Sequence, residues 1–104
     1  MDNQEYILQY LPLFEQDLAA VRDYIAFTLK NPTAALRLIE ATEVAIQKRL
    51  ASPLAFEPYY SAKERAHPYY RIYVKNYTVL YVVIDNVMEV RRFVYNKRDI
   101  SRII

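Results

Sequence analysis

The 104-residue chain contains no glycine and no cysteine, and its one histidine is His67. Without cysteine there is no disulfide framework and no thiolate metal site. Without glycine there is no glycine-rich loop to cradle phosphates, which excludes P-loop and dinucleotide-binding motifs. His, Asp and Glu do not cluster at ligand spacing, so no metal and no cofactor is expected. Long apolar runs are also missing, and none approaches the roughly 20 residues of a membrane span. The N-terminus, Met1-Asp2-Asn3-Gln4-Glu5, is polar and acidic, unlike a signal peptide. These absences predict a soluble, cytoplasmic protein without a membrane partner.

What is present is apolar. Hydrophobic residues make up 54% of the chain, enough to build a core, and the length suits one domain over residues 1–104. The net charge of +2 is unevenly spread. Residues 1–58 sum to −3, and residues 69–104 sum to +4. A basic C-terminal third is a modest electrostatic footprint for an anionic partner.

Residues 5–11 are β-prone and end at Pro12, which closes a strand or opens a helix. From Leu13 the period changes. Phe14, Leu18, Val21, Ile25 and Leu29 recur at spacings of four and three, predicting a helix over 13–30. Asn31-Pro32 then supplies an N-cap and a first helical residue, opening a second helix over 32–51. Its stripe is Ala35, Leu38, Thr42, Ala45 and Ile46, and Lys48 and Arg49 fall in the last turn, where the helix dipole favours cations. The short connection makes an antiparallel helix hairpin. Residues 52–68 hold Pro53, Pro58 and Pro68 and read as a loop. Three β-patterned runs follow, 69–75, 77–84 and 87–95. Asn76 and Asp85-Asn86 stand at the turns and tolerate the left-handed conformation that tight hairpins require. The middle run is apolar on both faces and belongs at the centre of the meander. The predicted order is β-α-α-β-β-β: an α+β fold, an antiparallel sheet with a helix hairpin on one face and the other face open.

Alternation assigns the faces. Tyr70, Ile72 and Val74 point toward the helices, while Tyr69, Arg71, Tyr73 and Lys75 point away. On the last strand Met88, Val90, Arg92 and Val94 form one set, and Val87, Glu89, Arg91, Phe93 and Tyr95 the other. Arg71, Tyr73, Arg91 and Tyr95 are then expected on one basic, aromatic surface. Arginine forks bind phosphates and aromatic rings stack on bases. Packing of Tyr against Arg across an ordinary sheet is the competing account.

The β-α-α-β-β-β order and the text Tyr70-Arg71-Ile72, Asn76-Tyr77-Thr78-Val79-Leu80-Tyr81-Val82-Val83 and Arg91-Arg92-Phe93-Val94-Tyr95-Asn96-Lys97-Arg98-Asp99-Ile100 resemble the RelE/ParE superfamily. Its members are toxins of bacterial type II toxin–antitoxin modules. The resemblance implies a cognate antitoxin, an acidic segment wrapping the hairpin and sheet. It implies one of two targets: RelE-like members cut mRNA in the ribosome without metal, and ParE-like members inhibit DNA gyrase. A degenerate, non-toxic interaction module is a third outcome. Carried over residue by residue, Arg71, Tyr95 and Arg98 match catalytic positions of the nuclease, and Tyr73, Arg91 and Lys97 would bind RNA. The sequence departs from the nuclease pattern at Tyr73, Thr78 and Ile104. The basic, aromatic face makes ribosome-dependent mRNA cleavage the first expectation and gyrase inhibition the alternative. Without antitoxin, the apolar groove suits a homodimer.

Metal-free RNA cleavage needs a base, an acid and a cation around one phosphate. Arg71 and Arg98 are the candidate cations and Tyr95 the candidate acid. With an ordinary pKa of about 10, Tyr95 is a poor base. Glu57 or Glu64 is the candidate base. His67 reads as a bystander, and Glu89 as a cross-strand partner of arginine.

Overall fold

The computed structural model describes residues 5–59 and 66–104. Strand β1 spans Ile7–Tyr10, helix α1 Pro12–Asp23 and helix α2 Pro32–Leu50. Strands β2, β3 and β4 span Tyr70–Val74, Tyr77–Ile84 and Val87–Tyr95. A π-helical turn, Tyr24–Thr28, extends α1, and a short 3₁₀ turn, Ile100–Arg102, follows β4. The expected order and helix hairpin are present.

The four strands lie in the order β1-β4-β3-β2. The meander β2-β3-β4 is antiparallel, as expected, but β1 runs parallel to β4, pairing Ile7 with Val87 and Tyr10 with Val90. The sheet is therefore mixed. The reason is local: only Leu11 separates β1 from α1, so the chain does not reverse there. Helix α1 continues alongside the upper half of β4, with Asp17 reaching Arg92 and Phe93. The first reversal comes at the hairpin tip, and β1 ends up aligned with β4.

Both helix starts follow their sequence signals. Pro12 and Pro32 sit in the first turns, and the Asn31 side chain accepts from the Ala34 backbone N–H at 3.1 Å. The helix stripe predicted for 13–30 holds through Phe14, Leu18, Val21 and Ile25. It fails at Leu29, which is exposed. The π-helical turn adds a residue to the helical cycle, and the Leu29 N–H bonds the Tyr24 carbonyl instead of its helical partner. Lys30 then stops the helix at φ 54°.

The main core lies between helices and sheet, where Phe14, Leu38 and Ile46 meet Ile72, Val79, Tyr81, Met88, Val90 and Phe93. Full burial of each such side chain contributes about 1.5–3 kcal/mol. Buried Thr42 sits among them and donates its hydroxyl to the Leu38 carbonyl at 2.7 Å, so no polar atom is stranded. Strand β3 is apolar on its second face too, because that face is not open. Tyr69, Leu80, Val82 and Val94 form a smaller cluster covered by Tyr59, Ile100, Ile103 and Ile104. The expectation of an open outer face fails here: the chain's own C-terminal segment covers part of it.

A bulge in β4 reorders the faces. Leu80 pairs with Arg92 but Tyr81 pairs with Val90, which leaves Arg91 as an extra residue. Beyond it the alternation inverts. Phe93 turns into the main core and Val94 to the outer cluster, opposite to the sequence assignment.

Arg49, in the last turn of α2, ties the following loop to the sheet. It donates to the Arg71 carbonyl at 3.1 Å and to the Tyr81 hydroxyl at 2.9 Å, and it lies 3.5 Å from the Phe56 ring centre. The Tyr81 hydroxyl in turn donates to the Pro53 carbonyl at 2.7 Å. Burial raises the Tyr81 pKa above its ordinary value, and Arg49 opposes the shift. A raised pKa means that the folded protein holds this proton while unfolded tyrosine ionises near pH 10. The stabilisation is full below that pH and is lost as pH rises toward the folded pKa. Stability in urea is thus expected to decline above about pH 10, and less steeply in Tyr81→Phe. Identical alkaline slopes for the two proteins would remove Tyr81 as a cause.

Candidate functional site

The residues singled out from sequence fall on two surfaces. The outer face of the sheet carries Arg71, Tyr73 and Arg91. The Arg71 guanidinium lies 4.9 Å from the Tyr59 ring centre and 5.8 Å from that of Tyr73, which is 63% exposed. Arg91 is not free to clamp a phosphate. Its Nε donates to Glu89 at 2.7 Å and its Nη1 to the Tyr69 hydroxyl at 3.1 Å. Glu89 thus neighbours Arg91, as expected, but on the same strand rather than across the sheet.

Tyr95 lies on the opposite side of the sheet. The bulge at Arg91 turns it toward the helices, where its ring meets Tyr77 at 5.5 Å. The shared surface expected for Arg71, Tyr73, Arg91 and Tyr95 is therefore split. With Tyr24 and Arg98, Tyr95 and Tyr77 line a shallow depression of about 270 Å³ between α1 and the end of β4. The depression opens into a groove of about 800 Å³ that shares the three tyrosines and is rimmed by Arg37 and Lys75. Burial raises the Tyr77 pKa, and the neighbouring Tyr95 and Tyr24 add to the shift. At neutral pH the Tyr77 phenol is therefore a hydrogen-bonding group and not a base.

Of the three residues matched to nuclease positions, Tyr95 and Arg98 come together and Arg71 does not. Lys97 is exposed in the turn after β4, which closes through a bond from the Arg98 N–H to the Tyr95 carbonyl. Glu57 and His67 are exposed in the loop regions before β2, while Glu64 lies outside the described residues. The departure positions have structural partners. Thr78 is buried with its hydroxyl on Asn96 Oδ1, and Ile104 packs on the outer cluster. Among the described residues no three His, Asp or Glu side chains group as metal ligands, and no helix is long and apolar enough to cross a membrane.

Sequence reasoning missed the groove. Tyr24, Arg37 and Lys75 come from α1's extension, from α2 and from the β2–β3 turn, and no spacing links them. It also missed Asp17, which accepts from Arg92 Nε at 2.7 Å and Nη2 at 3.2 Å and from the Phe93 N–H at 3.0 Å.

A helix hairpin laid across a mixed four-stranded sheet, with a basic C-terminal segment after the last strand, has the architecture of RelE/ParE superfamily toxins. Residues 8–100 match the family model described as the ParE toxin of the type II toxin–antitoxin system, parDE. The chain belongs to that family. Among solved structures it is similar to one described as the chromosomal ParDE TA system from P. aeruginosa. That match has a TM-score of 0.67 at 15% identity, covering 88% of this chain and 97% of the other. This likeness is one of fold. No curated protein sequence matches the chain.

Proposed function

We propose that the protein is a toxin that acts by binding DNA gyrase, without cleaving RNA, and that a cognate antitoxin holds it in check. The observation that carries this reading is the division of the nuclease-like residues by the sheet. A cation and an acid serve a scissile phosphate only when both reach it. Arg71 packs against Tyr59 on one face, and Tyr95 and Arg98 line a groove on the other. Membership of the ParE family supports the same reading, since ParE-like toxins are the gyrase inhibitors of the superfamily.

The antitoxin has a fitting seat on the outside of the helix hairpin. A groove of about 510 Å³ runs between α1 and α2, lined by Leu18, Leu36, Ile39 and Phe27, the last 74% exposed. Exposed apolar side chains in one groove mark a protein contact, and an amphipathic segment fits it as a helix or an extended strip.

The test uses purified protein in two assays. Gyrase supercoiling of relaxed plasmid is expected to stop, while a defined mRNA under translation stays intact by primer extension. Arg71→Ala should leave the supercoiling block within about threefold, because Arg71 lies outside the groove. Codon-phased mRNA cuts would overturn the proposal. In that case Arg71→Ala and Arg98→Ala should each lose about 10²–10³ in cleavage rate.

A further inference from the structure

We infer that the groove between the hairpin tip and the upper ends of β2–β4 is the surface by which the toxin grips its target. We infer further that the target supplies an acidic segment with an apolar anchor. The inference rests on the gyrase reading for the target's name, but not for the surface.

Charge is the first argument. Arg37, Lys75 and Arg98 line the groove and its adjoining depression, and none makes an ion pair among the described residues. Among the described residues the one carboxylate along the two, Asp17, is committed to Arg92 and the Phe93 N–H. The concavity is thus cationic, with three unneutralised heads around an apolar floor of Ile25, Leu29 and Leu38. A carboxylate-bearing partner gains three charge pairs and steered association.

Chemistry of the rings is the second. Tyrosine and arginine are the residue types that dominate binding at protein interfaces. Tyr77 is stacked on Phe93, with ring centres 4.9 Å apart and planes at 12°, and Tyr95 meets Tyr77 at a tilt of 56°. Stacking a nucleobase requires a free ring face. One face of Tyr77 is covered by Phe93 and the Tyr77–Tyr95 pair meets at 56°, so these two rings do not form a flat, open stacking platform. That suits a leucine or phenylalanine anchor flanked by carboxylates better than a nucleic-acid strand.

The remaining occupants fit less well. A second copy of the chain related by a two-fold axis would bring the same cations face to face. The antitoxin has the apolar hairpin groove, and permanent complexes favour such apolar contacts. That groove is also lined by Glu15, Asp23 and Glu43 against a single Arg22, so a segment seated there contacts it through apolar and basic side chains, in place of the acidic ones that the resemblance implies. Two grooves of different character match a lasting partner and a transient one.

The test is the charge reversal Arg37→Glu/Lys75→Glu/Arg98→Glu in the full chain. Three measurements are made: growth arrest on induction without antitoxin, inhibition of purified gyrase, and affinity for the product of the neighbouring antitoxin frame. The variant should lose at least about tenfold in arrest and in gyrase inhibition. Antitoxin affinity and the thermal melt should stay near wild type. Should the triple variant fail to fold, Tyr24→Ala, at a half-exposed ring, tests the same groove. Undiminished growth arrest would overturn the inference, and so would a selective loss of antitoxin affinity. Tight binding of single-stranded DNA or RNA, abolished by the reversal, would replace the peptide by a nucleic acid. A wild-type protein that arrests growth without touching gyrase defeats the gyrase reading alone. Arrest would then still report on the groove.

Discussion

Phe14→Ala is expected to lower the free energy of unfolding by about 3–5 kcal/mol, the range for emptying a buried aromatic site. Phe14 is 2% exposed and sits where α1, β1 and β4 meet. Its ring stacks on Tyr10 with centres 5.4 Å apart and meets Phe93 edge-on at 6.0 Å. Truncation removes the transfer energy, leaves a cavity and breaks both ring contacts. For a domain with about 5–15 kcal/mol in total, that change reaches the threshold of unfolding. Phe14→Leu, which keeps most of the volume, should lose much less. Urea denaturation gives the numbers, and a loss below about 1 kcal/mol for the alanine variant would contradict the packing described.

Asp17→Ala carries the next largest effect, about 2–4 kcal/mol. Strand β1 stops opposite Val90, so the upper half of β4 has an unpaired edge on that side. Asp17 supplies what the missing strand does not: it accepts from the Phe93 backbone N–H and holds Arg92 in a two-pronged ion pair. Side chains on both sides of the pair are largely shielded. Removing the carboxylate strands a guanidinium and a backbone donor together. Asp17→Asn keeps an acceptor and should recover part of the loss. In a double-mutant cycle with Arg92→Met, the paired change should be milder than the two single losses added, because the stranded cation is gone. Strict additivity would show that Asp17 acts through the Phe93 N–H alone.

The elements were legible because their signals are local. Pro12 and Asn31-Pro32 announce helix starts, the three- and four-residue stripe announces the hairpin, and β3 and β4 lie over 77–84 and 87–95 as the alternation indicated. The direction of β1 was not legible, since it depends on whether α1 reverses the chain, and one residue, Leu11, decides that. The faces of β4 were misread from Arg91 onward. A bulge at Arg91 leaves no mark in Val-Arg-Arg-Phe-Val, because either arginine fits either side. That single extra residue moves Tyr95 from the surface of Arg71 to the groove of Arg98. It thereby divides the single surface that the alternation had predicted for Arg71, Tyr73, Arg91 and Tyr95. The turn residues were half right: Asp85 takes the left-handed conformation, but at the other hairpin Lys75 does so, not Asn76.

A chain without glycine has to store backbone strain in its reversals. Lys30, Lys75 and Asp85 hold φ of 54°, 55° and 54°, a region that side chains with a Cβ occupy at a penalty of about 1 kcal/mol or more. The three are not equivalent in what sequence drift can do with them. At Lys30 and Asp85 glycine would relieve the strain and take nothing from the groove. At Lys75 the same relief would erase one of the three cations along the groove and its adjoining depression. Lineages of this toxin are therefore free to soften two of their corners. The third is held where conformational ease and the reach of a positive charge pull against each other.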